Sequence, residues 1–382
     1  MNPAVREILG TLIGFDSTSH RSNLDIIEYL REILAGLGAE CRLTYDDDKR
    51  KANLHAVLGP KDQPGIMLSG HTDVVPVTGQ DWHSDPFALL EKDGKLYGRG
   101  TADMKSFLAL AVALAPDFLA KGLREPIHFA FSYDEEVGCV GVHRLIAELK
   151  DLPVKPRLCV VGEPTGMKVV AGHKGKRSFK CRVHGKECHS SLVEGVNAID
   201  AAAEMIVKIK TMQRRICKEG PFDFAYDPPY TTLHTGVIEG GRALNIVPAL
   251  CEFEFEIRAL AVDNIEALTS EIIDRARALE PDMQAIDPSC KIDINVMNDT
   301  DGFDLEDHDA AVRLVRGLTG DNRTGRVSFG TEAGLFNRAG IPTVVCGPGF
   351  IEQAHKPDEF IAIDQIAQGE AFLRRLMAGL TV

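Results

Sequence analysis

The chain has 382 residues, of which 44% are hydrophobic and 26% are charged. This average globular composition excludes an intrinsically disordered chain, and the length favours two domains because a domain usually contains roughly 100–200 residues. The formal net charge of -13 and the lack of long Lys or Arg runs argue against nucleic acid as a partner.

The beginning of the chain, residues 1–7, carries charges and lacks the continuous apolar segment of a secretory signal. No apolar run in the sequence is long enough to span a bilayer. The nine cysteines include no Cys-x-x-Cys pair, which favours reduced structural thiols over disulfides or a thiolate metal site. We therefore expect a cytoplasmic protein without a membrane partner.

Two amphipathic helices are the first predicted elements. Apolar residues recur at helical spacing from Val5 to Leu12 and from Ile26 to Leu37, with Ser22 placed to cap the second helix and Gly38 to end it. Short apolar strands then alternate with helical patterns such as Phe107–Leu114, which predicts an α/β core with a mainly parallel sheet and helices on both faces. The predicted strands of this core are Ala52–Leu58, Gly65–Ser69, Ile127–Ser132 and Arg157–Val161.

The middle of the chain has a different pattern. Three segments alternate apolar and polar residues as half-buried antiparallel strands do, namely Phe179–Val183, Thr231–Ile238 and Leu250–Ile257. Two helical patterns, Ala198–Ile216 and Asn264–Leu279, can cover the apolar side of these strands. These elements predict an inserted α+β domain that forms a lid.

The α/β pattern returns after about Asp301. It predicts a helix near His308–Leu318, a Gly-rich strand end at Ser328–Thr331 and a buried strand at Pro342–Cys346. The predicted domains are therefore a catalytic domain in two parts, residues 1–177 and 301–382, and a lid or dimerisation domain, residues 178–300.

A His-x-Asp pair, His71 and Asp73, follows the apolar strand end Ile66–Gly70. Side chains two residues apart in an extended chain point to the same side. A metal-binding imidazole usually donates its second N–H to an oxygen acceptor, so His71 is a candidate ligand and Asp73 a candidate orienting residue. A chance surface pair has the same spacing.

Asp103 lies in the glycine-containing segment Gly98–Ser106, which leads into a helix. A carboxylate on such a strand-to-helix turn can bridge two ions, although it can also be a helix N-cap. A phosphate-binding loop is excluded because Met104 occupies the position of the second glycine of that motif.

Three consecutive carboxylates, Asp134, Glu135 and Glu136, follow the strand Ile127–Tyr133. Their mutual repulsion is costly unless a positive charge such as a metal ion neutralises it. One glutamate can then coordinate an ion while its neighbour transfers protons above the substrate. An acidic run is usually a solvated surface, but this run follows a buried strand, which favours a functional site.

Two further candidate ligands are Glu163, at another apolar strand end, and His355, in a loop. Each has an ordinary alternative, a loop charge for Glu163 and an exposed loop histidine for His355. The functional interpretation depends on the constellation, because nearly all of its oxygen and nitrogen donors lie at predicted strand termini, where an α/β sheet builds its site.

Taken together, the motifs resemble the dinuclear-zinc deacylase and peptidase family, which includes acetylornithine deacetylases, succinyl-diaminopimelate desuccinylases, aminoacylases and glutamate-releasing carboxypeptidases. The resemblance covers essentially the whole chain. It is carried by Ser69–Pro76, Trp82 with Asp85–Phe87, Tyr97–Lys105, Asp134–Glu136, Gly162–Thr165 and Cys188–Ser190.

This resemblance implies a site with two Zn²⁺ ions per subunit, for which Co²⁺ can substitute. The implied ligands are His71 and Glu163 for one ion, Glu136 and His355 for the other, and Asp103 for both. Glu135 would be the general base that takes a proton from water and returns it to the leaving amine. Asp73 would orient His71.

The resemblance also implies a homodimer that forms through the lid domain. The implied substrate-binding residues are His189, Asn245, Arg258, Gly330 and Thr331. His189 would reach across the dimer interface to stabilise the oxyanion, and Arg258 would bind the substrate carboxylate together with Asn245. Alternatively, His189 is a surface histidine and Arg258 pairs with glutamates on its own strand face, where this chain has Glu256 and many relatives have Asp.

The segments Gly162–Thr165 and Ala171–Gly175 are most similar to the acetylornithine deacetylases of that family. This implies hydrolysis of N-acetylornithine to ornithine and acetate, as in arginine biosynthesis. Another N-acyl-amino-acid deacylase, a desuccinylase or a dipeptidase is the alternative within the family. Outside the family, a catalytically inactive scaffold or amino-acid-binding protein would have lost a metal ligand or the base, and all of these residues are present here. A nicotinamide dehydrogenase would need a Gly-x-Gly-x-x-Gly turn after an early strand, which the sequence lacks.

Overall fold

The computed structural model describes residues 1–381, which divide into two compact units. The first unit contains Met1–Gly172, Asp304–Gly325 and the segment from Thr331 onwards, and the second contains His173–Phe303 and Arg326–Gly330. Within residues 1–381, no helix combines the length and the apolar character needed to cross a membrane. The assignment of the sequence regions as catalytic domain and lid stays a prediction.

The helices and strands alternate over most of the chain. The α-helices are α1 (Pro3–Gly14), α2 (Leu24–Gly36), α3 (Lys105–Ala113), α4 (Ala115–Ala120), α5 (Val142–Lys150), α6 (Ala198–Glu219), α7 (Ile265–Ile286), α8 (Ala310–Thr319), α9 (Ala333–Arg338) and α10 (Ile363–Ala378). The strands are β1 (Glu40–Tyr45), β2 (Ala52–Leu58), β3 (Ile66–His71), β4 (Leu90–Lys92), β5 (Lys95–Tyr97), β6 (Ile127–Ser132), β7 (Leu158–Pro164), β8 (Val169–His173), β9 (Gly175–His184), β10 (Thr232–Gly240), β11 (Leu250–Ala259), β12 (Lys291–Thr300), β13 (Phe303–Asp304), β14 (Thr324–Val327), β15 (Thr343–Gly347) and β16 (Phe360–Ala362).

The two helices predicted at the start of the chain are confirmed as α1 and α2. The Asn2 side chain caps α1 by accepting a hydrogen bond from the Ala4 amide at 3.0 Å. The N-cap of α2 is Asn23, which makes no side-chain cap hydrogen bond, so the predicted cap Ser22 lies one residue too early. Its hydroxyl still accepts from the Leu24 amide at 3.2 Å. Gly38 follows the end of that helix with φ +85°, a conformation that favours glycine.

The main sheet has the order β1-β2-β6-β3-β7-β15-β8-β13, with β14 paired to β8. The neighbours β6, β3, β7 and β15 are parallel to one another. Strands β3, β6 and β7 are buried along their whole length, as expected for parallel strands that are covered on both faces. The predicted α/β fold with a mainly parallel central sheet is confirmed, and the carboxyl ends of these strands lie side by side at one edge.

The second unit contains a four-stranded antiparallel sheet of order β10-β11-β9-β12. Strand β11 alternates as predicted: its apolar residues are buried, and its glutamates are half-buried on the opposite face. Phe255 of β11 stacks on Phe179 of β9 with ring centroids 4.6 Å apart, and α6 and α7 contribute buried residues to the same core. The strand β12 completes this sheet and was not predicted from the sequence.

A buried lysine connects the first helix to α3, a helix whose residues are all buried. The Lys105 ammonium donates to the main-chain oxygens of Leu12 and Phe15 at 3.0 and 2.9 Å, which satisfies carbonyls at the end of α1. Burial lowers the pKa of Lys105 to about 7. These hydrogen bonds fix the start of α3. Because Asp103 lies just before that helix, they also help to fix the position of Asp103.

Two neutral histidines form a buried pair between neighbouring strands. The rings of His55 on β2 and His128 on β6 are stacked with centroids 5.3 Å apart, and Nε2 of His55 lies 3.0 Å from Nδ1 of His128. Burial, with the nearby His128, lowers the pKa of His55 to about 3, and burial lowers the pKa of His128 to about 4. At neutral pH one ring therefore donates its N–H to the unprotonated nitrogen of the other.

We predict that this pair destabilises the fold as the pH falls from about 6.5 towards about 4. Unfolded histidine takes up its proton near the ordinary pKa of about 6.5, whereas the folded rings stay neutral to lower pH, so the added protons favour the unfolded state. Each histidine then lowers the free energy of unfolding by about 1.4 kcal/mol per pH unit within that window. Urea unfolding measured between pH 7 and pH 4.5 gives the change in the free energy of unfolding with pH.

The control is the double variant His55→Gln, His128→Gln, whose amides can form a hydrogen bond without titrating. Its stability should fall less steeply with acid than that of the wild-type protein. Equal slopes for the two proteins would show that these histidines are not the groups responsible.

Candidate metal centre

The side chains predicted as metal ligands come from strand ends and from loops beside them, all in the first unit. His71 is the last residue of β3, and Glu163 lies near the end of β7. Glu135 and Glu136 follow β6, Asp103 precedes α3, and His355 follows a short 3₁₀ helix at Ile351–Gln353. The parallel strands therefore bring residues that are far apart in sequence to one edge of the sheet.

The Asp103 carboxylate lies between the two predicted pairs of ligands. Its Oδ1 is 3.0 Å from Nε2 of His71, and its Oδ2 is 3.4 Å from Nε2 of His355. On one side, Oε1 of Glu163 is 3.8 Å from Nε2 of His71; on the other, Oε2 of Glu136 is 3.0 Å from Nε2 of His355. All five predicted ligands are thus brought together.

The cluster contains two overlapping sets of donor atoms, and within each set the atoms lie within 4.8 Å of one another. One set contains His71, Glu135 and Glu163, and the other contains His71, Asp103 and Glu136. Imidazole nitrogens and carboxylate oxygens without a thiolate are donors that suit zinc and similar divalent ions. The donor set therefore fits divalent cations of this kind.

The pKa shifts of the clustered side chains are also those expected of a site that favours cations. Burial, followed by the charge of Asp103, raises the pKa of Glu136 to about 7 and that of Glu163 well above its ordinary value. Hydrogen bonds with Asp103 and Glu136 raise the pKa of His355 to about 10. Burial opposes the charge on His71, but Asp103 and Glu163 still raise its pKa. The crowded carboxyls of the site therefore favour bound positive charge, which either protons or metal cations can supply.

Asp73 contacts several parts of the site. Its main-chain oxygen lies 2.9 Å from Nδ1 of His71, while its carboxylate is 3.6 Å from that nitrogen. The carboxylate accepts from the amides of Glu135 and Glu136 at 3.1 and 3.3 Å and from the Ser19 hydroxyl at 2.7 Å. Asp73 thus holds the glutamate loop as well as the imidazole, and its orienting role towards His71 stays a prediction.

The loop that carries the glutamates has contacts that the sequence did not predict. Asp134 has φ +56°, and its two carboxylate oxygens accept from the Lys51 ammonium at 2.6 and 2.7 Å. The Cys139 thiol lies 3.5 Å from Oε1 of Glu135. Burial raises the pKa of Glu332, another carboxyl near the cluster, to about 7. No spacing pattern in the sequence links Lys51 or Glu332 to the glutamates, so only the fold reveals them.

The predicted substrate contacts His189 and Asn245 lie in exposed, hydrogen-bonded loops of the second unit. Nδ1 of His189 is 2.8 Å from the Ser191 hydroxyl, and the Ser190 amide donates to the main-chain oxygen of Asn245 at 3.0 Å. His189 also forms an isolated bridge with Ile246. The two residues are therefore held near each other.

Arg258, on β11, donates from Nε to Oε1 of Glu256 at 2.7 Å, which is the alternative pairing expected from the strand face. Gly330 is the last residue of the second unit, and Thr331 begins the returning segment of the first. The buried Thr331 hydroxyl accepts from the Ala333 amide at 3.1 Å, at the start of α9. The substrate-binding roles of these residues stay predictions.

The α/β fold and the histidine–carboxylate cluster define the chain as a metal-dependent hydrolase. Residues 67–379 match the profile of Peptidase family M20/M25/M40. The acetylornithine deacetylase of Myxococcus xanthus is 34% identical over 382 residues, which cover 98% of this chain and 97% of that protein. The chain therefore belongs to Peptidase family M20/M25/M40.

Solved structures agree with the fold. An M20 family metallo-carboxypeptidase from Sulfolobus solfataricus has a TM-score of 0.78 and 17% identity, covering 99% of both chains. A dinuclear metal binding peptidase of the M20 family from Bacillus subtilis has a TM-score of 0.63 and 17% identity, covering 99% of this chain and 98% of that one. At these identities the likeness concerns the fold alone.

We predict that Asp103→Ala removes both bound cations, whereas Glu163→Ala weakens the binding of one. Asp103 faces both histidines, but Glu163 approaches only His71. Metal analysis of the dialysed proteins by mass spectrometry measures the number of ions retained. The matched control is Asp134→Asn, because the Asp134 carboxylate is paired with Lys51. An Asp103→Ala protein that keeps two ions would contradict the bridging position.

Proposed function

We propose that this chain hydrolyses the amide bond of N-acetylornithine to give ornithine and acetate, a step of arginine biosynthesis. The position of the Asp103 carboxylate, with one oxygen towards each of two histidines, is the observation that carries the hydrolytic chemistry. The substrate is supported by the similarity over nearly the full chain to acetylornithine deacetylases from several bacteria. Another N-acyl-amino-acid deacylase, desuccinylase or dipeptidase activity is the alternative.

The proposed cofactor is a pair of Zn²⁺ ions in each subunit, which Co²⁺ can replace. Their ligands would be His71 and Glu163 on one side, Glu136 and His355 on the other, and Asp103 between them. When bound, such ions supply Lewis acidity to the amide carbonyl and to the attacking water. The protein contributes a set of donors that is already assembled, which lowers the cost of binding.

The proposed general base is Glu135. A carboxylate oxygen of Glu135 lies within 4.8 Å of donor atoms of His71 and Glu163, and its main-chain amide donates to Asp73 at 3.1 Å. There it can take a proton from water as the water oxygen bonds to the acyl carbon. As the C–N bond breaks, Glu135 returns that proton to the leaving amine, so acetate and ornithine are released.

Four residues would contact the substrate, of which Asn245, Arg258 and Gly330 belong to the second unit and Thr331 to the first. We propose that the Arg258 guanidinium, together with Asn245, binds the α-carboxylate of the substrate, and that Gly330 and Thr331 line the pocket. Arg258 already carries one carboxylate partner, Glu256, which limits how freely its guanidinium can turn. The proposed enzyme is a cytoplasmic homodimer joined through the second unit, in which His189 of one subunit stabilises the oxyanion formed in the other.

A panel of substrates tests the proposed activity. We predict that N-acetylornithine has the highest kcat/KM, at least about tenfold above other N-acetylated amino acids, succinyl-diaminopimelate and dipeptides. N-acetylnorvaline, which has the same carbon chain without the distal amine, is the matched substrate. Chelation should abolish turnover, and added Zn²⁺ should restore it. If N-acetylornithine were the poorest substrate of the panel, the proposed specificity would be wrong.

Mixed dimers test the proposed role of His189. We predict that the variants Glu135→Gln and His189→Ala are each nearly inactive, but that a purified heterodimer of the two has about half of the wild-type activity. One of its two sites would combine Glu135 of one subunit with His189 of the other. A doubly tagged Glu135→Gln homodimer is the control. An inactive heterodimer would mean that His189 does not act across the interface.

A further inference from the structure

A group of connected side chains lies beside the candidate metal centre in the first unit. We refer to Gln80, Trp82, Arg99 and Glu359 as the Arg99 network. The Arg99 side chain is 1% exposed, and its Nη1 donates to Oε2 of Glu359 at 2.7 Å while its Nη2 donates to Oε1 of Gln80. The Trp82 ring lies 5.0 Å from the guanidinium carbon, and its Nε1 donates to Oε1 of Gln80 at 3.1 Å.

One end of the Arg99 network holds the main chain at Asp103. Oε1 of Glu359 accepts from the amides of Ala102 and Asp103 at 2.8 and 3.1 Å, and Glu359 is 1% exposed. Its other oxygen is occupied by Arg99. Both oxygens of the Glu359 carboxyl group therefore have donors, and one of them holds the backbone that carries the predicted central ligand.

The other end holds the loop that carries His355. Nε2 of Gln80 donates to the main-chain oxygen of His355 at 3.0 Å, and Nη1 of Arg99 donates to that of Lys356 at 3.3 Å. Because Oε1 of Gln80 accepts two N–H groups, its amide nitrogen is the atom left to face His355. The direction of this hydrogen bond is thus set by Arg99 and Trp82.

His355 requires such a restraint more than the other ligands do. Its φ is +63°, a region that residues with a side chain rarely adopt, and its side chain is 51% exposed. Packing therefore does little to fix it. A strained backbone conformation persists where the surrounding structure holds it in place, and here the hydrogen bond from Gln80 does so.

Stability alone does not explain the buried Arg99–Glu359 ion pair. A buried ion pair gains little over apolar residues of the same volume, because desolvation offsets the attraction. In addition, Nε of Arg99 is buried without a hydrogen-bond partner among the described residues. The planar guanidinium of Arg99 binds Glu359 and Gln80 at the same time, and it thereby orients both side chains.

We propose that the Arg99 network sets the separation between Asp103 and His355, and thereby the affinity of the cation site that these two ligands share with Glu136. Gln80, Arg99 and Glu359 are positioning residues in this arrangement. The inference rests on the proposed two-cation centre. Hydrogen bonds to the main chain fix the ligands while their donor atoms stay available to the ion.

The test compares Gln80→Leu with Gln353→Leu in the full-length protein. Both variants exchange the same half-buried residue type near His355, but the Gln353 side chain has no hydrogen bond among the described residues. Zn²⁺ is titrated into metal-free protein in competition with a chelator, and the unfolding midpoint of each metal-free protein is recorded. Cobalt absorption spectra report the geometry of the loaded sites.

We expect Gln80→Leu to weaken one of two binding steps by at least about tenfold and to leave the other step unchanged. Its cobalt spectrum should change, and its metal-free protein should still unfold in one cooperative transition, with a midpoint lowered only by the lost hydrogen bonds to Arg99 and Trp82. Gln353→Leu should match the wild-type protein throughout. Arg99→Lys, which keeps the charge but loses the fork, should weaken the same step. Wild-type affinity in Gln80→Leu, or equal weakening of both steps, would overturn the proposal.

This experiment is separate from the test of the proposed function. A wild-type protein that binds two cations but turns over no N-acylated amino acid would refute the proposed reaction, while the comparison of cation affinities would still decide the role of the network. A wild-type protein that binds a single cation would overturn the network proposal itself, because no second step would exist.

Discussion

The repulsion among buried carboxylates is the constraint on which the first unit depends. Asp103 and Glu163 are 5% and 4% exposed, and Glu135 and Glu136 lie against them. Removing a charged carboxylate from water costs several kcal/mol, roughly, for each group, and the neighbouring histidines offset only part of this cost. Bound divalent cations would complete the neutralisation, and cation binding and the stability of this region would then be coupled.

The parallel sheet makes this crowding geometrically feasible. His71 pairs with Ser132 across β3 and β6, and β7 lies on the other side of β3, so three strand ends meet at one edge. Antiparallel strands would send alternate ends to opposite edges and separate these groups. The ladder of main-chain hydrogen bonds fixes His71 and Glu163 directly, because both belong to strands.

The parts of the molecule that could be predicted from the sequence are those that depend on neighbouring residues. Apolar strands that end in His71 or Glu163 are local patterns, and the pairing of Arg258 with Glu256 follows from two residues on one strand face. The salt bridge between Lys51 and Asp134 joins positions 83 residues apart, and the one between Arg99 and Glu359 joins positions 260 apart. No periodicity or spacing rule connects such positions, so these contacts emerge only from the fold.

Strand β12 was missed for a different reason. Its segment Lys291–Thr300 does alternate, but the alternating polar residues are mostly Asp and Asn, which are depleted in strands. Cross-strand pairing with β9 decides the conformation, and that pairing is not local. The strand propensities of single residues predict a strand least well where its stability comes from pairing with another strand and from burial of one face.

The predicted ligands outside the strands have one feature in common, which is that a polar or charged side chain holds each of them through its main chain. Asp73 accepts from the amide of Glu136, Glu359 accepts from the amide of Asp103, and Gln80 donates to the carbonyl of His355. Each anchor binds the main chain and leaves the donor atoms of the ligand free. A hydrogen bond to the donor atoms themselves would compete with the cation, so positioning through the backbone keeps the site both rigid and accessible.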